Sequence, residues 1–328
     1  MAAVCVLAIV CSTGSAQGRT RARRGGVPLA SADRCVSPAP SRTLRGGLLA
    51  ESVSRSRTAS LWRLQRTPTS GPARVYGRTT SGCIAGAVEL PMRGDGFVRR
   101  NSWRRTGFGH PDLVAYVRRL GEATRRAGLG GVRVGDMSLP RGGLYLHTHL
   151  SHQTGLDVDI AFRTLSEGPE DRALGPWRSF SVSPASPRPA GRHVEELLRL
   201  AAADDRVDRI FVAARIKQRL CRTAVGDRRF LDVLRPWQGH DRHFHVRLKC
   251  PADSPHCRPN ERISSIPDDC EALSRWWKTA EALGAFAEWR AMERGAYTRA
   301  LPVACQTLAE PAVSPALTAR QTTEPDVP

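Results

Sequence analysis

The stretch 144–162, LYLHTHLSHQTGLDVDIAF, places three histidines and two aspartates within thirteen positions. It runs into an alternation in which Leu156, Val158, Ile160 and Phe162 are separated by Asp157, Asp159 and Ala161. A period of two is the strand period, so both carboxylates share one face and the apolar residues take the other. Residues 239–250, GHDRHFHVRLKC, repeat the pattern: His243, His245 and Arg247 alternate with Phe244, Val246 and Leu248. Two such strands, each with ligand-type side chains on one face and core on the other, can gather His149, His152, Asp159 and His245 around one point. Imidazole nitrogen and carboxylate oxygen suit Zn²⁺, whose catalytic sites usually keep three protein ligands and one open position. An ion held that way makes water nucleophilic near neutral pH. The His-x-His strand can turn one imidazole to the metal and keep the other for proton transfer.

Six of the nine histidines fall in these two stretches, denser than packing requires. His147 adds no needed ligand. His110, before Pro111, reads as a helix cap, His193 as a surface residue at a helix start, and His256 receives no role. Asp157 has two readings, one orienting a ligand from behind and one facing solvent.

The 328 residues suffice for one large or two modest domains. An apolar fraction of 41% suits a globular protein, and no apolar run approaches the roughly 18 residues that span a bilayer. The net charge of +19 is uneven: residues 1–80 carry 13 Arg, no Lys and two acids, Asp33 and Glu51. The basicity therefore describes mainly a leader and not a nucleic-acid surface on the folded part. Residues 1–17, a short apolar stretch followed by small residues, read as an export signal that lacks the usual positive start. Residues 18–80, rich in Arg, Ser, Gly and Pro without a sustained period, read as a poorly ordered leader. The organised domain is expected over 81–305, with a polar tail over 306–328.

Six cysteines, Cys83, Cys221, Cys250, Cys257, Cys270 and Cys305, lie in the organised part, and none forms a CxxC pair. An even number without a metal spacing reads as three disulfides in an oxidising compartment. Cys250 and Cys257 flank a loop that could close locally. The residues between the clusters read as a helix over 110–130 with Pro111 at its start, Leu113, Val117, Leu120 and Ala127 as its stripe and Gly128 at its end. Strands follow at 132–137 and 207–213, helices at 193–205, in RIKQRLC and in RRFLDVLR, and a last helix over 271–294. No HExxH, GxSxG, phosphate loop or dinucleotide fingerprint occurs. The arginines lack the aromatic interleaving of a single-strand binder, so no nucleic-acid partner is expected.

SHQTGLDVDI (151–160), RPW (235–237) and HFHVRLKCP (243–251) resemble the penicillin-insensitive murein endopeptidases. These belong to a wider group of zinc peptidases with lysostaphin-type enzymes, D-Ala-D-Ala peptidases and the hedgehog fold. GCIAGA (82–87), FGHPDLVAYVRRL (108–120), GDM (135–137) and RIFVAARIKQRLC (209–221) extend the likeness over about residues 81–257. The resemblance implies His152, Asp159 and His245 as zinc ligands and His149 as a further metal-site residue. It implies His243 as the catalytic histidine, His240 as a second polar residue lining the site, and a Cys250–Cys257 bridge. The implied activity is hydrolysis of D-alanyl–meso-diaminopimelyl cross-links in peptidoglycan, in the periplasm, through a zinc-activated water.

The expectation is thus an α+β metallopeptidase domain whose central antiparallel sheet carries a zinc site, flanked by helices and stapled by disulfides. Two other readings remain: a non-catalytic zinc-containing cell-wall-binding domain, and a D,D-carboxypeptidase of the same mechanism. His243 separates catalysis from mere binding, because a structural site needs no second histidine beside the ligand.

Overall fold

A computed structural model of the protein describes residues 60–100, 104–144, 150–165, 190–237, 240–260, 269–276 and 301–309. In chain order the strands are β1 (Arg74–Arg78), β2 (Ser81–Ala85), β3 (Val88–Glu89), β4 (Arg93–Gly94), β5 (Phe97–Arg99) and β6 (Phe108–Gly109). They continue as β7 (Val132–Val134), β8 (Asp157–Ala161), β9 (Val207–Val212), β10 (Leu234–Pro236) and β11 (His243–Leu248). Among the described residues the helices include α1 (Pro111–Arg126), α2 (Ala190–Ala202), α3 (Ala214–Thr223), α4 (Cys270–Trp276) and α5 (Val303–Ala309).

Seven strands form one sheet in the order β10-β9-β11-β8-β7-β5-β4. The central four, which carry the histidine and aspartate clusters, are mutually antiparallel as expected. The margins differ, because β10 runs parallel to β9 and β5 parallel to β7. Parallel neighbours need a crossover: α1 supplies it between β5 and β7, and α3 with the 3-10 turn Arg229–Asp232 supplies it between β9 and β10. The sheet is therefore mixed, not antiparallel throughout.

The crossover α1 starts where its sequence dictates. The His110 side chain accepts from the Asp112 N–H at 3.2 Å as N-cap, Pro111 opens the helix, and Arg125 and Arg126 lie in its last turn. A basic last turn complements the helix dipole. The chain then leaves through Gly128 at φ +72°. Leu113, Val117 and Leu120 are buried as the stripe predicts, joined by Val114 and Tyr116, whose hydroxyl donates to Ala201 O at 2.9 Å. Ala127 is instead the exposed C-cap. These side chains meet Val158, Ile160, Phe244 and Val246 of the central strands and Leu197 and Leu198 of α2 in the main core.

Two domain limits move. β1 pairs residue for residue with β2, and Trp62 is fully buried, so the organised fold reaches back into the 18–80 segment. In RVYGR the arginines hide a period-two burial of Val75 and Gly77. At the other end α5 runs past residue 305. RRFLDVLR is not one helix but the 3-10 turn followed by β10, an edge strand that tolerates Pro236. The first part of the helix expected over 271–294 is α4; the remainder lies outside the described residues.

Three disulfides join Cys83 to Cys305, Cys221 to Cys270 and Cys250 to Cys257. The first ties α5 to β2 within a second apolar cluster of Trp62, Leu139, Leu144 and Ala309. The Cys250–Cys257 loop docks on the β1–β2 hairpin, where Gly77 N–H donates to His256 O at 3.0 Å and Arg258 N–H to Gly77 O at 2.9 Å. Among the described residues no helix is long and apolar enough to cross a membrane.

Candidate metal centre

The β8–β11 register sets the centre. His245 pairs with Asp159, Arg247 with Asp157, and His243 with Ala161, while Phe244–Ile160 and Val246–Val158 alternate between them. A slip of one residue would send every polar side chain to the opposite face. Asp159 is held on its other side too: its N–H donates to Asp136 O at 3.0 Å and its carbonyl accepts from Gly135 N–H at 2.7 Å. Asp136 is itself fixed by Thr106 Oγ1 at 2.6 Å and Arg104 Nη1 at 2.9 Å.

His152 arrives from the loop before β8 in a left-handed backbone conformation, φ +67°. Its N–H donates to Asp157 Oδ2 at 3.0 Å, and the next residue, Gln153, donates to Thr80 O and Leu150 O. The loop is thereby moored to the β1–β2 turn.

These elements bring one ligand atom each from His152, Asp159 and His245 within 4.8 Å of one another. Asp159 Oδ1 lies 3.3 Å from His152 Nε2 and 3.2 Å from His245 Nδ1. A tetrahedral ion bound at about 2.0–2.1 Å separates its ligand atoms by roughly 3.3–3.4 Å. Two imidazole nitrogens and a carboxylate oxygen, nearly solvent-free, are a donor set that can hold a metal ion.

His243 stands at the rim. Its side chain keeps 21% exposure against 1–6% for the other three, and its Nε2 is 3.7 Å from Asp159 Oδ1. The His240 ring lies 5.0 Å from that of His243 and 5.9 Å from that of His245. His147 and His149 lie outside the described residues. His193 is half-buried 3.4 Å from Thr164 Oγ1, away from these contacts, and His256 stacks on Tyr76 with centroids 5.7 Å apart.

Asp157 does not face solvent. It is fully buried, forked by Arg247 Nε and Nη2 at 2.8 and 3.2 Å, with its Oδ1 3.1 Å from His245 Nε2. Burial alone would raise its pKa, but Arg247 and His245 hold it well below the ordinary carboxylate value. Burial likewise disfavours charge on His245, yet Asp157 and Asp159 outweigh it and leave that imidazole raised.

Phe211 was not singled out from the sequence. It pairs with His245 across β9–β11, packs edge-on against that ring at 5.3 Å, and lies under Arg247 at 5.1 Å. The signal was present: in VDRIFV, Arg209 and Phe211 alternate with Ile210 and Val212, so a period-two reading puts Phe211 on the His245 face. Trp237 extends the same aromatic wall, its ring 5.3 Å from Phe211.

The family description "Penicillin-insensitive murein endopeptidase" matches residues 75–310. This chain belongs to that family. A penicillin-insensitive murein endopeptidase of Salmonella paratyphi B is 39% identical over 236 residues, covering 70% of this chain and 86% of the relative. One from Haemophilus influenzae is 40% identical over 216 residues, covering 63% and 74%. Another, from Salmonella newport, is 39% identical over 229 residues, covering 68% and 83%. The family match begins at Val75, within β1, and ends just beyond α5, in accord with the shifted limits of the fold.

Proposed function

We propose that this chain is a zinc-dependent murein endopeptidase that hydrolyses D-alanyl–meso-diaminopimelyl cross-links of peptidoglycan. The observation that carries the reading is a buried His152–Asp159–His245 donor set with a second, solvent-reaching histidine, His243, on the same strand face. The family membership and relatives named as murein endopeptidases point to the substrate.

In this reading His152, Asp159 and His245 hold the zinc, with His149 a further metal-site residue on the sequence pattern. Zinc in such a site supplies Lewis acidity and makes water nucleophilic near neutral pH. His243 Nε2 takes and returns the proton, because its partial exposure lets it reach a bound peptide beside the donor set. His240, ring to ring with His243, lines the cleft and orients it. Phe211 and Trp237 wall one side and exclude water from the back of His245. The three disulfides suit action outside the reducing cytoplasm, in the periplasm.

The test is digestion of purified cross-linked muropeptide dimers with product masses read. Monomers with intact terminal D-alanine support the endopeptidase. Release of terminal D-alanine alone selects the D,D-carboxypeptidase, and binding without products selects the cell-wall-binding domain.

A further inference from the structure

Behind the three donor atoms, one carboxylate touches both histidines. Asp157 accepts the His152 backbone N–H on Oδ2 at 3.0 Å and lies 3.1 Å from His245 Nε2 through Oδ1. Arg247, directly across the ladder, forks the same two oxygens. We propose that Asp157, backed by Arg247, is the positioning residue that fixes how His152 and His245 present themselves to the metal. The inference rests on the zinc reading of that donor set.

Two physical arguments carry it. The left-handed backbone of His152, φ +67°, is strained for a non-glycine residue. Such strain persists where surrounding groups over-determine it, and a buried, ionised acceptor for its N–H is such a group. The second argument concerns the His245 ring, which lies between two carboxylates: Asp157 beside Nε2 and Asp159 beside Nδ1 at 3.2 Å. The nitrogen grouped with His152 and Asp159 can serve a metal only when the ring proton sits on Nε2. Asp157 favours that proton position by its charge, with Oδ1 3.1 Å from an Nε2 that makes no hydrogen bond in this structure. Without it, Asp159 is the remaining carboxylate at the ring and draws the proton to Nδ1, where it blocks coordination.

Arg247 completes the device. It balances the Asp157 charge, and its guanidinium lies 5.1 Å over the ring of Phe211, which also packs edge-on against His245. An orienting partner of this kind typically changes metal affinity 10–100-fold.

The experiment uses the full-length, oxidised protein with histidine ¹⁵N label, stripped of metal, as wild type, Asp157→Asn, and Asp157→Asn with Arg247→Met. The double variant leaves no unpaired buried guanidinium, so it folds where the single one fails on that account. Long-range ¹H–¹⁵N spectra at pH 8 read which His245 nitrogen carries the proton, and Zn²⁺ titration against a chelating indicator reads affinity. Wild type should show a protonated Nε2. The variants should shift towards Nδ1–H and bind Zn²⁺ about 10–100-fold more weakly, with unchanged circular dichroism. A merely structural ion pair would not move the ring proton. An unchanged ring with zinc affinity within about twofold overturns the proposal, as does a wild-type ring protonated only at Nδ1, which needs no variant to detect. If wild type takes up no zinc yet the ring shift occurs, the zinc reading fails and the positioning of His245 by Asp157 stands.

Discussion

His245 sits directly opposite Asp159 in the β8–β11 ladder, its Nδ1 3.2 Å from Oδ1, while His243, two residues earlier on the same face, keeps its ring at the solvent rim. The proposed roles divide along that line. His245→Ala should lower zinc content and melting temperature together, because metal bound to the folded state stabilises it. His243→Ala should keep zinc near the wild-type level yet lose about 10²–10⁴ in kcat, the size of a missing general acid–base contribution. Zinc per chain and turnover on muropeptide dimers check both; equal zinc loss in the two variants would make His243 a ligand.

A pH effect is expected away from the centre, at the start of α1. His110 accepts the Asp112 N–H on Nδ1, so the ring must be unprotonated there to cap the helix. Burial lowers its pKa, partly offset by Asp253 and Asp112. A histidine lowered in the folded state binds its proton more readily when unfolded, so its contribution is complete above the unfolded value of about 6.5 and is lost as pH falls through the folded pKa. His110→Asn caps without titrating. Between pH 8 and pH 5 the wild type should lose stability relative to this variant, read as melting temperature against pH; parallel curves would refute the assignment.

How much of this was legible in the sequence follows from periodicity. Period two in 156–162 and 243–248 fixed which residues share a face, and the structure pairs those faces. The helix of 111–126 was marked at both ends by Pro111 and Gly128. What escaped was set by partners distant in sequence. β1 is a strand because β2 lies beside it, and β10 because β9 does, although neither short segment outweighs its own composition. Asp157 looked as ready for solvent as for burial, since its environment depends on Arg247, 90 residues away. The edge strands and the parallel pairs likewise depend on crossovers that local patterns do not encode.

Gly143 leads towards the histidine segment at φ +77°, and a Cβ there would stand 1.9 Å from the Trp62 ring. Its N–H donates to Gln153 O at 2.9 Å, beside His152. Gly143→Ala should cost roughly 2–4 kcal/mol, combining left-handed strain with overpacking of a buried ring, and should weaken zinc uptake. Gly128→Ala is the control: its φ is +72° but nothing lies within 4 Å, so only about 1–2 kcal/mol of strain applies. Denaturant unfolding of both measures the difference; equal losses would mean that Trp62 yields without cost.

The disulfides should rank by the chain they close. Cys83–Cys305 spans 222 residues, Cys221–Cys270 spans 49 and Cys250–Cys257 spans 7. The loop-closure model assigns them about 5, 4 and 2 kcal/mol respectively. Packing sharpens the first, because Cys305 belongs to the Trp62 cluster, and α5 is also tied down by Gln65 Nε2 to Ala309 O at 2.8 Å and Arg141 Nη1 to Leu308 O at 3.2 Å. Leu139 and Leu144 in that cluster flank Gly142 and Gly143, so loss of α5 loosens the chain entering the histidine segment. Paired Cys→Ala variants, compared by guanidinium unfolding under oxidising conditions, should lose stability in the order Cys83/Cys305, Cys221/Cys270, Cys250/Cys257. The Cys83/Cys305 variant alone should also show weakened zinc retention before global unfolding. A larger loss from Cys250/Cys257 would show that docking of its loop on the β1–β2 hairpin outweighs chain entropy.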